Sequence, residues 1–136
     1  MKCYFSERGS DAVRQLTAHG ESVGSCELAR IEFFSAVHRH FREGKITKKT
    51  LSSVLQRFCE DEQNGYWTWL SITFNLMKEC CAIFETLPAS VYLRSADALH
   101  LCCAKAHGFK TVYTNDENIK AAAAHFNISV VDVISK

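Results

Sequence analysis

At 136 residues the chain is sized for one compact domain, and its 47% apolar and 23% charged residues exclude a disordered tail, a collagen-like fibre and a charged linker. Sixteen basic residues against fifteen acidic ones leave a net charge of +1, so no global field draws the chain to nucleic acid, and only a local basic patch remains open. The longest uncharged run, residues 63–77, is 15 residues long and carries Gln63, Asn64 and Asn75, too short and too polar for a bilayer span, and the opening MKCYFSERGSD lacks the apolar core of a signal peptide; a soluble cytoplasmic protein is expected.

In chain order, Ser10 to His19 reads as a helix with Ser10 as cap and Val13 and Leu16 on its apolar face. Ser22 to Ser25 is a short strand candidate. Cys26 to about Arg42 is helical, with Leu28, Ile31, Phe34, Val37 and Phe41 recurring at three- and four-residue steps, and Gly44 ends it. Thr47 caps a helix carrying Leu51, Val54, Leu55 and Phe58. Asn64-Gly65 marks a turn, and Tyr66 to Ile72 reads as a strand. Thr73 begins a helix that ends before Pro88. Ser95 caps ADALHLCCAKAH, which Gly108 closes. Lys110 to Thr114 is a short β run, Asp116 starts the helix ENIKAAAAHF, and Ile128 to Val133 finishes as a strand or a strand followed by a turn. Strands separated by helices of this length predict an α/β fold with a parallel sheet covered on its faces. The opening MKCYF is either a short first strand or marks the absence of one.

The seven cysteines include no CxxC pair, so no zinc ribbon or dithiol redox motif is available. Neighbours in Cys80-Cys81 and Cys102-Cys103 diverge around a helix, and most of the seven read as small buried hydrophobes of a reduced protein. His100, Cys103 and His107 share a helical stripe, open to a soft-metal site or to simple packing. Arg39, Arg42, Lys45, Lys48 and Lys49 cluster around Gly44, a solvated helix corner or a contact for nucleic-acid backbone. Trp67 and Trp69 share one strand face and suit a core or a subunit contact.

Acidic residues at the C-terminal ends of strands, or on the helices just beyond, face the usual ligand crevice of an open α/β sheet. Glu32, Asp97 and Asp116 hold such positions. Carboxylates gathered there repel unless a cation lies among them, and hard oxygen donors suit Mg²⁺ or Mn²⁺. Acids at helix starts also serve the helix dipole alone.

At these residues the chain resembles the PIN-domain family, in particular the VapC-like toxins of bacterial toxin–antitoxin modules. KCYFSERGSDAV (2–13) is similar to a block near the start of that family, ELARIEFFSAVHRHFREGKI (27–46) to its second-acid helix, RSADALHL (94–101) to its RxxDALHLA block, and Thr114-Asn115-Asp116 to its TxD. The resemblance implies a three-layer α/β/α domain over residues 1–136 with a central parallel sheet. It also implies hydrolysis of RNA phosphodiester bonds by water activated on Mg²⁺ or Mn²⁺. Glu32, Asp97 and Asp116 would be catalytic and metal-holding residues, with Arg94 and Thr114 on the substrate side. RNA, a cognate antitoxin and a second copy of the chain are the implied partners, with Phe33, Phe34 and Phe41 expected on the contact surface. The family's first acid is an Asp ending an opening strand, and this chain is expected to lack both. The alternative is an inactive PIN-like module that binds a protein partner.

Overall fold

The computed structural model describes residues 1–18 and 23–134. Its elements follow the expected alternation: α1 (Ser10–Ala18), β1 (Val23–Cys26), α2 (Leu28–Arg42), α3 (Lys48–Gln63), β2 (Trp67–Leu70), α4 (Phe74–Thr86), α5 (Ser95–Ala106), β3 (Thr111–Tyr113), α6 (Glu117–Ala123), a 3-10 turn (Ala124–Phe126) and β4 (Ser129–Val131). The α/β class stands. His19 and Ser22, placed at the ends of the first expected helix and strand, lie outside the described residues. Met1–Phe5 is not a strand. It is wound into turns in which Tyr4 and Phe5 N–H both donate to the Met1 carbonyl, at 2.8 and 3.1 Å. The chain divides into two compact units, Met1–Trp69 and Leu70–Lys136.

In the first unit β1 pairs with β2, and α2 packs on α3. Gly44 ends α2 at φ 71, a left-handed angle that other residues adopt only with strain. Thr47 then caps α3, its hydroxyl accepting from Thr50 N–H at 3.1 Å. The apolar faces of the two helices meet at Phe33, Val37, Leu51 and Phe58, where Phe33 and Phe58 stack with ring centroids 4.3 Å apart. Trp67 and Trp69, alternate residues of β2, stack on one face at 6.1 Å and pack against this cluster, as core residues. Here one expectation is corrected. Phe33 is only 6% exposed and sits at the centre of the core, with Phe34 and Phe41 half-buried against it. Phe33 holds the two helices together and is not part of an exposed contact face, while Phe34 and Phe41 keep part of their surface.

In the second unit Thr73 caps α4 by accepting from Leu76 N–H at 3.2 Å. The buried side of α4, Leu76 and Cys80, packs with α5, whose Ala98, Cys102 and Cys103 are small enough for close approach. Three of this unit's four cysteines, Cys80, Cys102 and Cys103, are buried, as is Cys26 of the first unit, while Cys81 is exposed. Burial pushes the Cys80 thiol up, and burial together with the neighbouring Cys80 pushes that of Cys102 up to about 12. Arg94, not Ser95, occupies the cap position of α5, and no side chain caps that helix. The negative charge of its first turn comes from Asp97. Strands β3 and β4 run parallel in the register Thr111–Ser129, Val112–Val130 and Tyr113–Val131. Lys110 and Thr114 reach across to β4 through Ser129 N–H (2.8 Å) and the Val131 carbonyl (3.2 Å). Parallel pairing needs a crossover, which α6 supplies. The described strands thus form two two-stranded sheets.

Candidate active site

The second unit gathers Arg94, Asp97, Thr114 and Asp116 at the start of α5 and just past the end of β3. Asp97 stands in the first turn of α5, where a negative charge is favoured, and is 7% exposed. Arg94, one turn earlier, reaches back so that its Nε donates to Asp97 Oδ2 at 2.7 Å. Its Nη2 donates to Asp116 Oδ2 at 3.1 Å. One planar guanidinium therefore joins two carboxylates, a fork geometry that lysine could not reproduce. The bond to Asp97, more than the charge of Asp116, holds the Arg94 proton more tightly than usual.

Asp116 carries a second duty. Its Oδ1 accepts from Asn118 N–H at 2.9 Å and Ile119 N–H at 3.2 Å, capping α6, while its own N–H donates to the Thr114 hydroxyl at 3.1 Å. Thr114 thereby fixes the turn that aims Asp116 toward Arg94. The two acids, 19 places apart in sequence, meet on the one guanidinium.

Glu32 lies on the exposed face of α2, in the first unit, and the Arg94 cluster lies wholly in the second. Among the described residues no three His, Cys, Asp or Glu side chains gather closely enough to hold a metal ion. The soft-metal stripe is set aside. Cys103 is fully buried and its thiol contacts the Leu70 carbonyl at 3.5 Å, while a ring nitrogen of His107 pairs with the Ser71 carbonyl at 3.2 Å.

For a hard dication the pair fits in kind but falls short in number. Asp116 has both oxygens committed, and Asp97 Oδ1 accepts no hydrogen bond among the described residues. The cation that two adjacent carboxylates demand is here the Arg94 guanidinium. Sequence reasoning placed Arg94 on the substrate side and missed this role. The i, i+3 spacing of Arg94 and Asp97 was the available signal.

A cleft of about 400 Å³ opens in the first unit among Cys3, Tyr4, Arg14, Thr17, Asp61 and Tyr66. Its polar groups are largely spent on the fold. The Tyr4 hydroxyl donates to Asp61 Oδ2 at 2.7 Å and accepts from Trp67 Nε1 at 3.0 Å, and burial with the Asp61 bond raises its pKa. Arg14 is held by Asp11 and by the Phe5 carbonyl.

The PIN domain family model matches residues 2–125, across both units. The chain belongs to the PIN-domain family. No curated protein and no solved structure matches it significantly. PIN domains are three-layer α/β/α folds with nuclease activity in general, acting on RNA and other nucleic acids, and they generally use divalent metal ions. No described helix of this PIN domain is long and apolar enough to cross a membrane.

Proposed function

We propose that this PIN domain is a metal-dependent endoribonuclease of the VapC-like toxin type, working at the Arg94–Asp97–Asp116 cluster. The observation that carries the reading is the convergence of Asp97 and Asp116, from the first turn of one helix and the cap of another, on a single guanidinium. Asp97 and Asp116 would hold Mg²⁺ or Mn²⁺, with Glu32 as the third carboxylate. An ion held by these carboxylates would supply a water of lowered pKa and stabilisation of charge on the phosphate oxygens. Thr114 keeps Asp116 aimed through the turn it anchors. Arg94 neutralises the two acids, and its exposed guanidinium would turn toward the scissile phosphate when the ion binds.

The test is cleavage of single-stranded RNA by the purified chain with Mg²⁺. Activity is expected to vanish in EDTA and to fall at least ~100-fold in Asp97→Asn, the scale of losing a principal charge-stabilising group. Cleavage that survives Asp97→Asn sinks the proposal.

A second reading, an inactive PIN module that binds a protein, is favoured by one observation: Arg94 already satisfies both carboxylates. A folded chain that neither binds the ion nor cleaves RNA would select it. For self-association the surface we propose is α4, where Phe74, Met77, Cys81 and Phe84 are exposed at the 3-4-3 spacing of a helix-pairing seam. Sedimentation of Phe74→Asp as a monomer beside a dimeric parent is the expected result. The cognate antitoxin remains the proposed regulatory partner.

A further inference from the structure

The corner where α2 turns into α3 concentrates charge that the rest of the chain does not carry. Between residues 38 and 49 stand Arg39, Arg42, Lys45, Lys48 and Lys49 against the single carboxylate Glu43, a balance of +4 on a chain whose total is +1. The remaining residues are therefore net negative by three. All five cations are exposed. Lys45 pairs with Glu43 at 2.7 Å, and the Lys48 ammonium stands 5.6 Å from the centroid of the half-buried Phe41 ring. Among the described residues no carboxylate lies within ion-pair distance of Arg39, Arg42 or Lys49.

Helix electrostatics accounts for only part of this cluster. Arg39 and Arg42 occupy the last turn of α2, where the helix dipole favours cations. Lys48 and Lys49 occupy the first turn of α3, where the dipole favours Asp or Glu, and that turn holds no acid. Two lysines thus stand where they weaken their own helix. The positive end of α3, capped by the neutral Thr47, adds to the same field. Such a surface complements a polyanion. The corner exposes no large apolar side chain to enter a membrane, and its one phenyl ring, Phe41, is half-buried with the Lys48 ammonium over it.

We propose that the α2–α3 corner is a docking surface for the phosphate backbone of single-stranded RNA, gripping it without regard to sequence through Arg39, Arg42, Lys45, Lys48 and Lys49. Docking here is separable from cleavage at the Arg94 cluster, and neither requires the other.

The experiment is a fluorescence-anisotropy titration of short labelled RNAs of two unrelated sequences with the full chain, without divalent metal, over a salt series. The parent is expected to bind both alike, with log K falling linearly in log salt. Lys48→Gln/Lys49→Gln is expected to lower that slope by about 1.4, at about 0.7 per lost phosphate contact on a single strand, and to weaken both RNAs equally. Lys48→Glu/Lys49→Glu gives the decisive second readout: RNA binding is lost while the melting temperature rises, because the acids now suit the α3 dipole. A merely structural role would move both in one direction. Unchanged affinity and slope in the glutamine variant overturn the proposal, as does a parent that binds anionic vesicles but not RNA. Salt-dependent RNA binding without Mg²⁺-dependent cleavage supports this surface while sinking the nuclease reading. Cleavage by variants that bind like the parent does the reverse.

Discussion

Arg94 is a counter-ion that the protein supplies to itself. Replacing it with Gln leaves Asp97, 7% exposed, beside Asp116 with no cation between them. The two carboxylates then repel, and any dication that binds there relieves the repulsion. Arg94→Gln is expected to melt at a lower temperature than the parent in EDTA and to gain more from added Mg²⁺ or Mn²⁺. A thermal-shift series over metal concentration checks this, and equal metal-induced shifts in both proteins would count against the site. Cysteine is the second residue-scale case. The Cys102 thiol titrates at about 12 in the folded chain against 9.0 for an ordinary thiol, because burial disfavours its thiolate. A raised folded value means the native state holds its proton more tightly. The resulting stability is complete below about pH 9 and is lost as pH climbs toward 12. Denaturant melts through that window should show a shallower decline for Cys102→Ala than for the parent. Alkylation followed by mass spectrometry should label the exposed Cys81 well before Cys80 or Cys102.

Among the elements, α6 shows how one side chain can serve structure and chemistry through different oxygens. Asp116 caps α6 with Oδ1 and meets Arg94 with Oδ2. Asparagine caps a helix about as well as aspartate, whereas alanine does not cap at all. Asp116→Asn should therefore keep the stability of the parent within about 0.5 kcal/mol while losing cleavage, and Asp116→Ala should lose cleavage and about 1 kcal/mol besides. Chemical denaturation of the two variants beside the activity assay separates the roles. The helices were readable from sequence because their signals are local: Thr47 and Thr73 cap where expected, and Leu51 and Phe58 recur on one buried face. The strands were harder. They are only three or four residues long, so the expected run at Tyr66 to Ile72 overshoots at both ends, while of Ile128 to Val133 the reading as a strand followed by a turn is the nearer one. Phe33 was misplaced because aromatic residues at successive positions of α2 point around the helix, and only the presence of α3 decides which is covered.

For the molecule as a whole, the acids were legible and their neutraliser was not. Asp97 and Asp116 carry recognisable neighbours in sequence. The Arg94–Asp116 bond, 22 residues apart, exists only once α5 and β3 are packed. Glu32 was named for its place beyond a strand and for the resemblance, and its unit and that of the other two acids are each compact in themselves. The same division bears on how unfolding can be watched. Both tryptophans, stacked on one another in β2, belong to Met1–Trp69, and Leu70–Lys136 has none. Indole emission is thus a private reporter of the first unit, whereas far-ultraviolet dichroism sums helices from both. Denaturation curves that superimpose by the two probes would mean that the units melt as one cooperative body; a lag of one behind the other would mean that each half of this PIN domain keeps its own melting point.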